Sequence, residues 1–325
     1  RHDLDWDKTF ELSIDPEKAK AEGELALKEV LLASNADNAG VTPPQPNVWA
    51  NPLLRSLVVD EARASKTMVD ILQGYGAVPD PRLTLILSKS QAWVQGKDGA
   101  EEWKGVPNGL PVTELSLPEY DNNHNSCIWG YMWGYDWNSA QKGDNISKPK
   151  TDADFTPLGL MNYSEVCFLK AEAALRGWQG AGDAKTNYEN GIRASFEEMR
   201  ANAPKDSYSK SNDDKYISEG NVAWNNADSF EAKLEKIITQ KWIGIYPNSE
   251  EAWAEFRRTG YPKLNPVKQS LEPTINPKNG EFIKKLRYVD NELSNNKEYA
   301  TDPTLNGGQG DGLSVRVWWD TARYK

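Results

Sequence analysis

From Asn162 to Gly260 the sequence sets out four amphipathic segments in succession, each with its own start and stop signals. In NYSEVCFLKAEAALRGW, Asn162 and Glu165 have capping-box spacing and Gly177 ends the run. Val166, Leu169 and Ala173 mark one apolar face, while Cys167, Ala171, Ala174 and Trp178 mark another, so this helix should pack on both sides. DAKTNYENGIRASFEEMRANAP carries Tyr188, Ile192, Ala194, Phe196 and Met199 and stops near Pro204, which makes it the antiparallel partner in an αα-hairpin. DSFEAKLEKIITQKWIGIY opens on a capping box of Asp228 and Glu231 and spaces Leu234, Ile237, Ile238, Trp242 and Ile245 helically. NSEEAWAEFRRTG opens on Asn248 and Glu251, sets Trp253 and Phe256 on one side, and is closed by Gly260 before Pro262. Consecutive hairpins predict a mainly α fold, a tetratricopeptide-like α-α superhelix with its scaffold at 156–262, although no strict 34-residue period is written in the letters.

The remainder is arranged around that scaffold as a single domain spanning 1–325. DPEKAKAEGELALKEVLL reads as a helix capped by Asp15 with Pro16 at its first position, its apolar side running through Ala19, Gly23, Ala26, Leu27, Val30 and Leu31. NADNAGVTPPQPN is a loop, and SKTMVDILQG a short helix with Ser65 as cap and Gly74 just past its end, stopped by VPDPRL. Over 83–155 helical periodicity disappears while Gly, Pro, Asn and aromatic residues dominate. A loop-rich aromatic insertion of that length inside a compact protein points to binding. The tail from residue 271 is irregular and ends in the strand-like LSVRVWWD.

Composition narrows the function. With 38 Lys and Arg against 48 Asp and Glu the net charge is -10, which repels phosphate backbones, so nucleic acid is excluded as a partner. No run of 18 apolar residues is present. The opening RHDLDWDKTF has no basic and apolar leader, so a targeting segment is expected to have been removed or to lie upstream. Cys127 and Cys167 lack zinc or redox spacing and read as buried thiols. His2 and His124 have no metal-protease or Cys/His context, and no G-x-S-x-G is present. GWQGAGDAK places Asp183 where a phosphate loop needs Lys, and reads as a helix terminator followed by a turn. TDADF lacks EF-hand spacing. No catalytic residue, metal site or cofactor is assigned.

Within the insertion, WGYMWGYDW puts Trp129, Tyr131, Trp133, Tyr135 and Trp137 at every second position, which in extended chain aligns all five rings on one side. The row is either a core-facing strand or an exposed platform. Sugar rings present apolar C–H faces edged by hydroxyls, so flat aromatic rings beside Asn, Asp and Arg suit them. The glycan-stacking candidates are Trp129, Tyr131, Trp133 and Trp137, followed by Trp93 and Trp103. Paired carboxylates acting as a glycoside hydrolase rank below this reading.

SEVCFLKAEAALRG, ITQKWIGIYPNSEEAWAEFRRTGYPKL, RVWWD, DPRL and WKGVPNGLP together resemble the SusD/RagB family of surface lipoproteins from Bacteroidota, in family order along essentially the whole chain, with EAWAEFRRTGYPKL the most specific piece. Family members are generally larger and start with a lipidated cysteine, so the resemblance is to their C-terminal portion. It implies a non-catalytic binder held at the extracellular face of the outer membrane by a lipid anchor. Such a binder acts as a lid on a SusC-like TonB-dependent transporter, capturing oligosaccharides or, in some members, peptides. A purely structural transporter partner is the remaining alternative. Arg257 and Arg258 belong to the family pattern and read as scaffold contacts closing a capped helix.

Overall fold

The computed structural model describes residues 15–29, 31–41, 63–128, 130, 158–201, 203, 208–317 and 320. In chain order the described elements begin with α1 (Pro16–Glu29), strand β1 (Ala39–Val41), α2 (Lys66–Gly74), and the short helices α3 (Leu83–Ile86), α4 (Gln91–Val94) and α5 (Val112–Leu115). Strand β2 (Leu158–Met161) pairs antiparallel with β1 and leads into α6 (Tyr163–Leu175), α7 (Ala184–Arg200) and α8 (Asp213–Ser218). Then come α9 (Phe230–Gly244) and α10 (Ser249–Thr259), followed by the tail helices α11 (Asp290–Asn295), α12 (Lys297–Ala300) and α13 (Leu305–Gly308). The fold is mainly α, built on the hairpins α6–α7 and α9–α10.

Caps explain most boundaries. Asp15, Ser65, Asp183 and Asn248 each accept a hydrogen bond from a backbone N–H of the first turn that would otherwise be unsatisfied. Gly260 closes α10 in the left-handed region at φ 80°, its N–H donating to Phe256 O at 2.7 Å. Two expected capping boxes resolve differently. Ser229, not Asp228, caps α9 by accepting from Ala232 N, and Asp228 instead receives Lys236 Nζ at 2.7 Å. Asn162 stands at the cap of α6 without a side-chain cap bond, and Glu165, expected to complete the box, instead pairs with Lys241 at 3.5 Å. Gly74 lies inside α2, whose cap is Tyr75. Leu169, expected on a buried face, is exposed.

Two apolar clusters form the core. Phe168 and Ala171 of α6 meet Tyr188, Ile192 and Phe196 of α7, Tyr216 and Ile217 of α8, and Leu234, Ile237 and Ile238 of α9. The second cluster joins Val69 and Leu72 of α2, Leu83, Leu85, Ile86, Leu87 and Cys127 to Met199 of α7 and Ile243 of α9. Four of the residues over 83–87 are thus core material; a four-residue helix is too short to write a period of 3.6 in the sequence. Cys127 and Cys167 are both buried free thiols.

The clusters meet at a polar knot built on the Asp80-Pro81-Arg82 turn. Arg82, 0% exposed, donates Nε to Asp80 Oδ1 at 2.9 Å and Nη2 to Asp80 Oδ2 at 2.7 Å. It also donates to Gln240 Oε1 on α9 at 2.5 Å and to Ser195 Oγ on α7 at 3.1 Å. Tyr216 of α8 donates its hydroxyl to Asp80 Oδ2 at 2.5 Å. Burial opposes the charge on Arg82, but the Asp80 carboxylate outweighs it and raises the guanidinium pKa. A second ionic cluster ties the hairpins together: Arg258 reaches Glu172 and Glu255, each at 2.7 Å, so it is a scaffold contact. Burial alone would raise the Glu172 pKa, yet Arg258 and Arg176 hold it down to about 2.

In the tail, the described part of LSVRVWWD, Leu313 to Val317 and Asp320, forms no strand. Its polar groups are instead engaged by earlier parts of the tail: Leu313 N donates to Thr274 Oγ1, Ser314 Oγ to Thr274 O, and Leu313 O accepts from Lys284 N. That leaves no ladder to complete.

Candidate glycan-binding site

Of the candidate stacking residues, Trp129, Tyr131, Trp133 and Trp137 lie outside the described residues, while Trp93 and Trp103 lie within them. Ser90 starts α4 by capping it, with Oγ accepting from Trp93 N at 3.4 Å, and donates the same hydroxyl to Glu101 O. This fixes Trp93 on a short rigid turn with 40% of the residue exposed. Lys89 Nζ lies 4.6 Å from the ring centroid and is also 2.7 Å from Glu102. Trp103 is half-buried and packs against the core cluster that contains Leu83 to Leu87. The structure therefore separates the two indoles: Trp93 presents its ring to solvent, and Trp103 braces the segment.

A polar turn adjoins α4. Ala92 N donates to Asn123 O at 2.8 Å, which ties residues 121–125 to the helix carrying Trp93. Asp121 Oδ1 organises that turn by accepting from Asn123 N and His124 N, and lies 2.8 Å from His124 Nδ1. Partial burial would raise the Asp121 pKa, but the bonds from His124 and Asn123 prevail and lower it. Asn123 is exposed and the His124 side chain is 43% exposed, so an amide and an imidazole reach solvent on the turn bonded to α4. Asparagine and histidine supply donors and acceptors for hydroxyls, and a tryptophan face supplies the stacking surface.

The residues on either side of Trp129 are anchored. Cys127 exchanges bonds with Ser88, whose N–H donates to Cys127 O at 2.9 Å and whose Oγ accepts from Cys127 N at 3.2 Å. Gly130 is buried against α3, where an added Cβ would sit 2.0 Å from Leu85 O. Gly130→Ala is expected to cost about 1–3 kcal/mol, because backbone has to shift to admit the methyl group. Chemical denaturation would check this, and a loss below the scatter of replicate measurements would mean the crossing is not tight.

Among the described residues no group of three His, Cys, Asp or Glu is placed to hold a metal ion. None of the described helices is long and apolar enough to cross a membrane.

The helical-hairpin scaffold and the loop-borne indole place the chain among mainly helical proteins with a candidate binding surface on their loops. The chain belongs to the SusD-like family, described as Susd and RagB outer membrane lipoprotein, with residues 12–320 matched. Among solved structures it is similar to a chitin-binding SusD homolog from Flavobacterium johnsoniae at 29% identity and a TM-score of 0.68, covering 97% of this chain and 62% of that one. It is also similar to a SusD homolog from Bacteroides vulgatus at 27% identity and a TM-score of 0.70, covering 98% and 62%. A SusD-like protein from Bacteroides thetaiotaomicron matches at 26% identity and a TM-score of 0.69, covering 97% and 63%. The chain thus spans somewhat under two thirds of the length of these relatives. A comparison with curated proteins gave no match.

Proposed function

We propose that this chain binds oligosaccharides at the cell surface without turning them over, and holds them for import through a partner SusC-like TonB-dependent transporter. In this reading the protein sits at the extracellular face of the outer membrane on a lipid anchor. The observation that carries the binding role is Trp93: an indole fixed on a capped turn, 40% exposed, on a helix whose Ala92 N–H is bonded to Asn123 O of the polar turn 121–125. The family and the chitin-binding relative support a glycan as the ligand class. Trp129, Tyr131, Trp133 and Trp137 are the further stacking candidates in this proposal.

Affinity electrophoresis against a polysaccharide panel that includes a soluble chitin derivative tests the reading. Trp93→Ala and Trp133→Ala are each expected to weaken retardation about tenfold, the loss of one good stacking contact. Unchanged retardation in both variants, with the circular dichroism of the parent retained, would remove the stacking platform. Release of reducing ends by the purified protein would instead favour a hydrolase.

A further inference from the structure

The end of α10 and the tail enclose a cleft of about 430 Å³ that none of the described stacking candidates lines. Its floor is an edge-to-face pair, Phe256 of α10 and Phe282 of the tail, with ring centroids 5.0 Å apart. Its polar lining is cationic. Lys263, Lys284 and Arg316 line it against one lining acid, Glu281, whose carboxylate accepts from Asn276 N at 2.8 Å and Asn279 Nδ2 at 3.3 Å. Lys284 Nζ stands 4.7 Å over the Phe256 ring. Beneath it one sealed carboxylate, Asp320, serves two of the cations, at 3.7 Å from Lys284 Nζ and 2.8 Å from Arg316 Nη1. Lys263, whose side chain is 75% exposed at the rim, is paired with Glu235 at 2.9 Å. Asp320 takes one of the five donors of Arg316, whose side chain is still 36% exposed.

A chain of net charge -10 repels anions in general, so a cleft lined by three cations and one acid is a local exception. Its volume lies within the range of small-ligand sites, which combine an apolar lining with a few convergent polar groups. We infer that this cleft is a second binding site, for an acidic sugar unit, with the carboxylate of a uronate ring on Arg316 and Lys263 and its C–H face against Phe282. A guanidinium binds carboxylate oxygens through paired N–H donors, and the aromatic floor favours a ring over a bare anion. The choice of a sugar as the bearer of the carboxylate rests on the glycan reading above; the cleft itself does not involve Trp93.

Calorimetric titration of the protein with trigalacturonate and with its carboxyl-reduced trisaccharide tests the inference. The expected result is saturable binding of the acidic form that weakens as salt is raised, and at least tenfold weaker binding of the reduced form. Arg316→Gln is expected to weaken trigalacturonate binding about tenfold, and Lys263→Gln about threefold, with Trp93→Ala leaving it unchanged. Lys263→Gln alters an exposed rim residue, so it keeps the test decisive if Arg316→Gln does not fold. No saturable binding at millimolar trigalacturonate, equal binding of the reduced sugar, or indifference to both substitutions would overturn the site. Loss of binding in Trp93→Ala would place the acidic sugar at the stacking surface and overturn the cleft, while loss of neutral-glycan retardation alone would bear only on the stacking surface. Tighter binding of short peptides through a free C-terminal carboxylate would overturn the assignment to sugar.

Discussion

Asp80→Ala is expected to destabilise the protein by about 3–5 kcal/mol, since removing one partner of a buried ion pair strands the other. Arg82 is 0% exposed, and Asp80 supplies both of its carboxylate contacts. Without them the guanidinium keeps neutral neighbours, Gln240, Ser195 and the Phe196 ring, and Tyr216 loses the acceptor of its hydroxyl proton. Domains are typically stable by about 5–15 kcal/mol, so this one change removes a large share. Replacing both residues together, as Asp80→Leu with Arg82→Met, should cost less than Asp80→Ala alone, because no uncompensated charge remains inside. Urea denaturation measures both variants. A loss under about 1 kcal/mol for Asp80→Ala would show that water or rearrangement reaches the guanidinium, contrary to its sealed position.

The second large effect is a pH dependence centred on Glu198. This α7 carboxyl has its Oε2 buried without a hydrogen-bond partner, and burial, reinforced by the nearby Glu165, pushes its pKa up to about 7. Glu165 is itself raised, by burial first and by Glu251 and Glu255, against the lowering pull of Lys241. The sign follows from proton counts. In the unfolded chain Glu198 ionises near 4.5, whereas in the folded protein it holds its proton until about 7. Between those values the folded state binds more protons, so stability falls as pH rises through the window and stays reduced above it. The cost at pH 8 is on the order of 2–3 kcal/mol, taking each pKa unit as about 1.4 kcal/mol and allowing for partial hydration. Glu198→Gln should therefore match the parent near pH 4.5 and exceed it at pH 8. Thermal or urea unfolding of the pair across that range gives the difference directly. A Glu198→Gln protein no more stable than the parent at pH 8 would mean that the carboxylate is solvated there.

The helices of the scaffold were legible because their determinants are local. A capping side chain, an apolar residue every third or fourth position and a terminating glycine act within a few residues of one another, so α6, α7, α9 and α10 can be read from the letters. Where two capping residues are adjacent, as at Asp228 and Ser229, local signals tie, and Lys236 breaks the tie by taking Asp228. The short helices over 83–94 were not legible, since a single turn leaves no periodic trace. The Asp80 and Arg82 knot was hidden for a different reason. Charged letters read as surface, and only partners from α7, α8 and α9 make burial affordable.

The candidate site divides the same way. That the chain is rich in aromatic rings, acidic in net charge and poor in catalytic motifs is a matter of composition and spacing, and those already pointed toward glycan capture and away from nucleic acid. Which ring meets solvent is a matter of neighbours: Trp93 stands on a capped turn beside residues 121–125, while Trp103 leans on the core. The cleft lined by Phe256, Phe282 and Arg316 draws on side chains as much as 60 positions apart, from residue 256 to residue 316. Short-range preferences act through the chain and survive in its letters, whereas exposure and convergence arise between segments distant in sequence, and so only the packed molecule decides them.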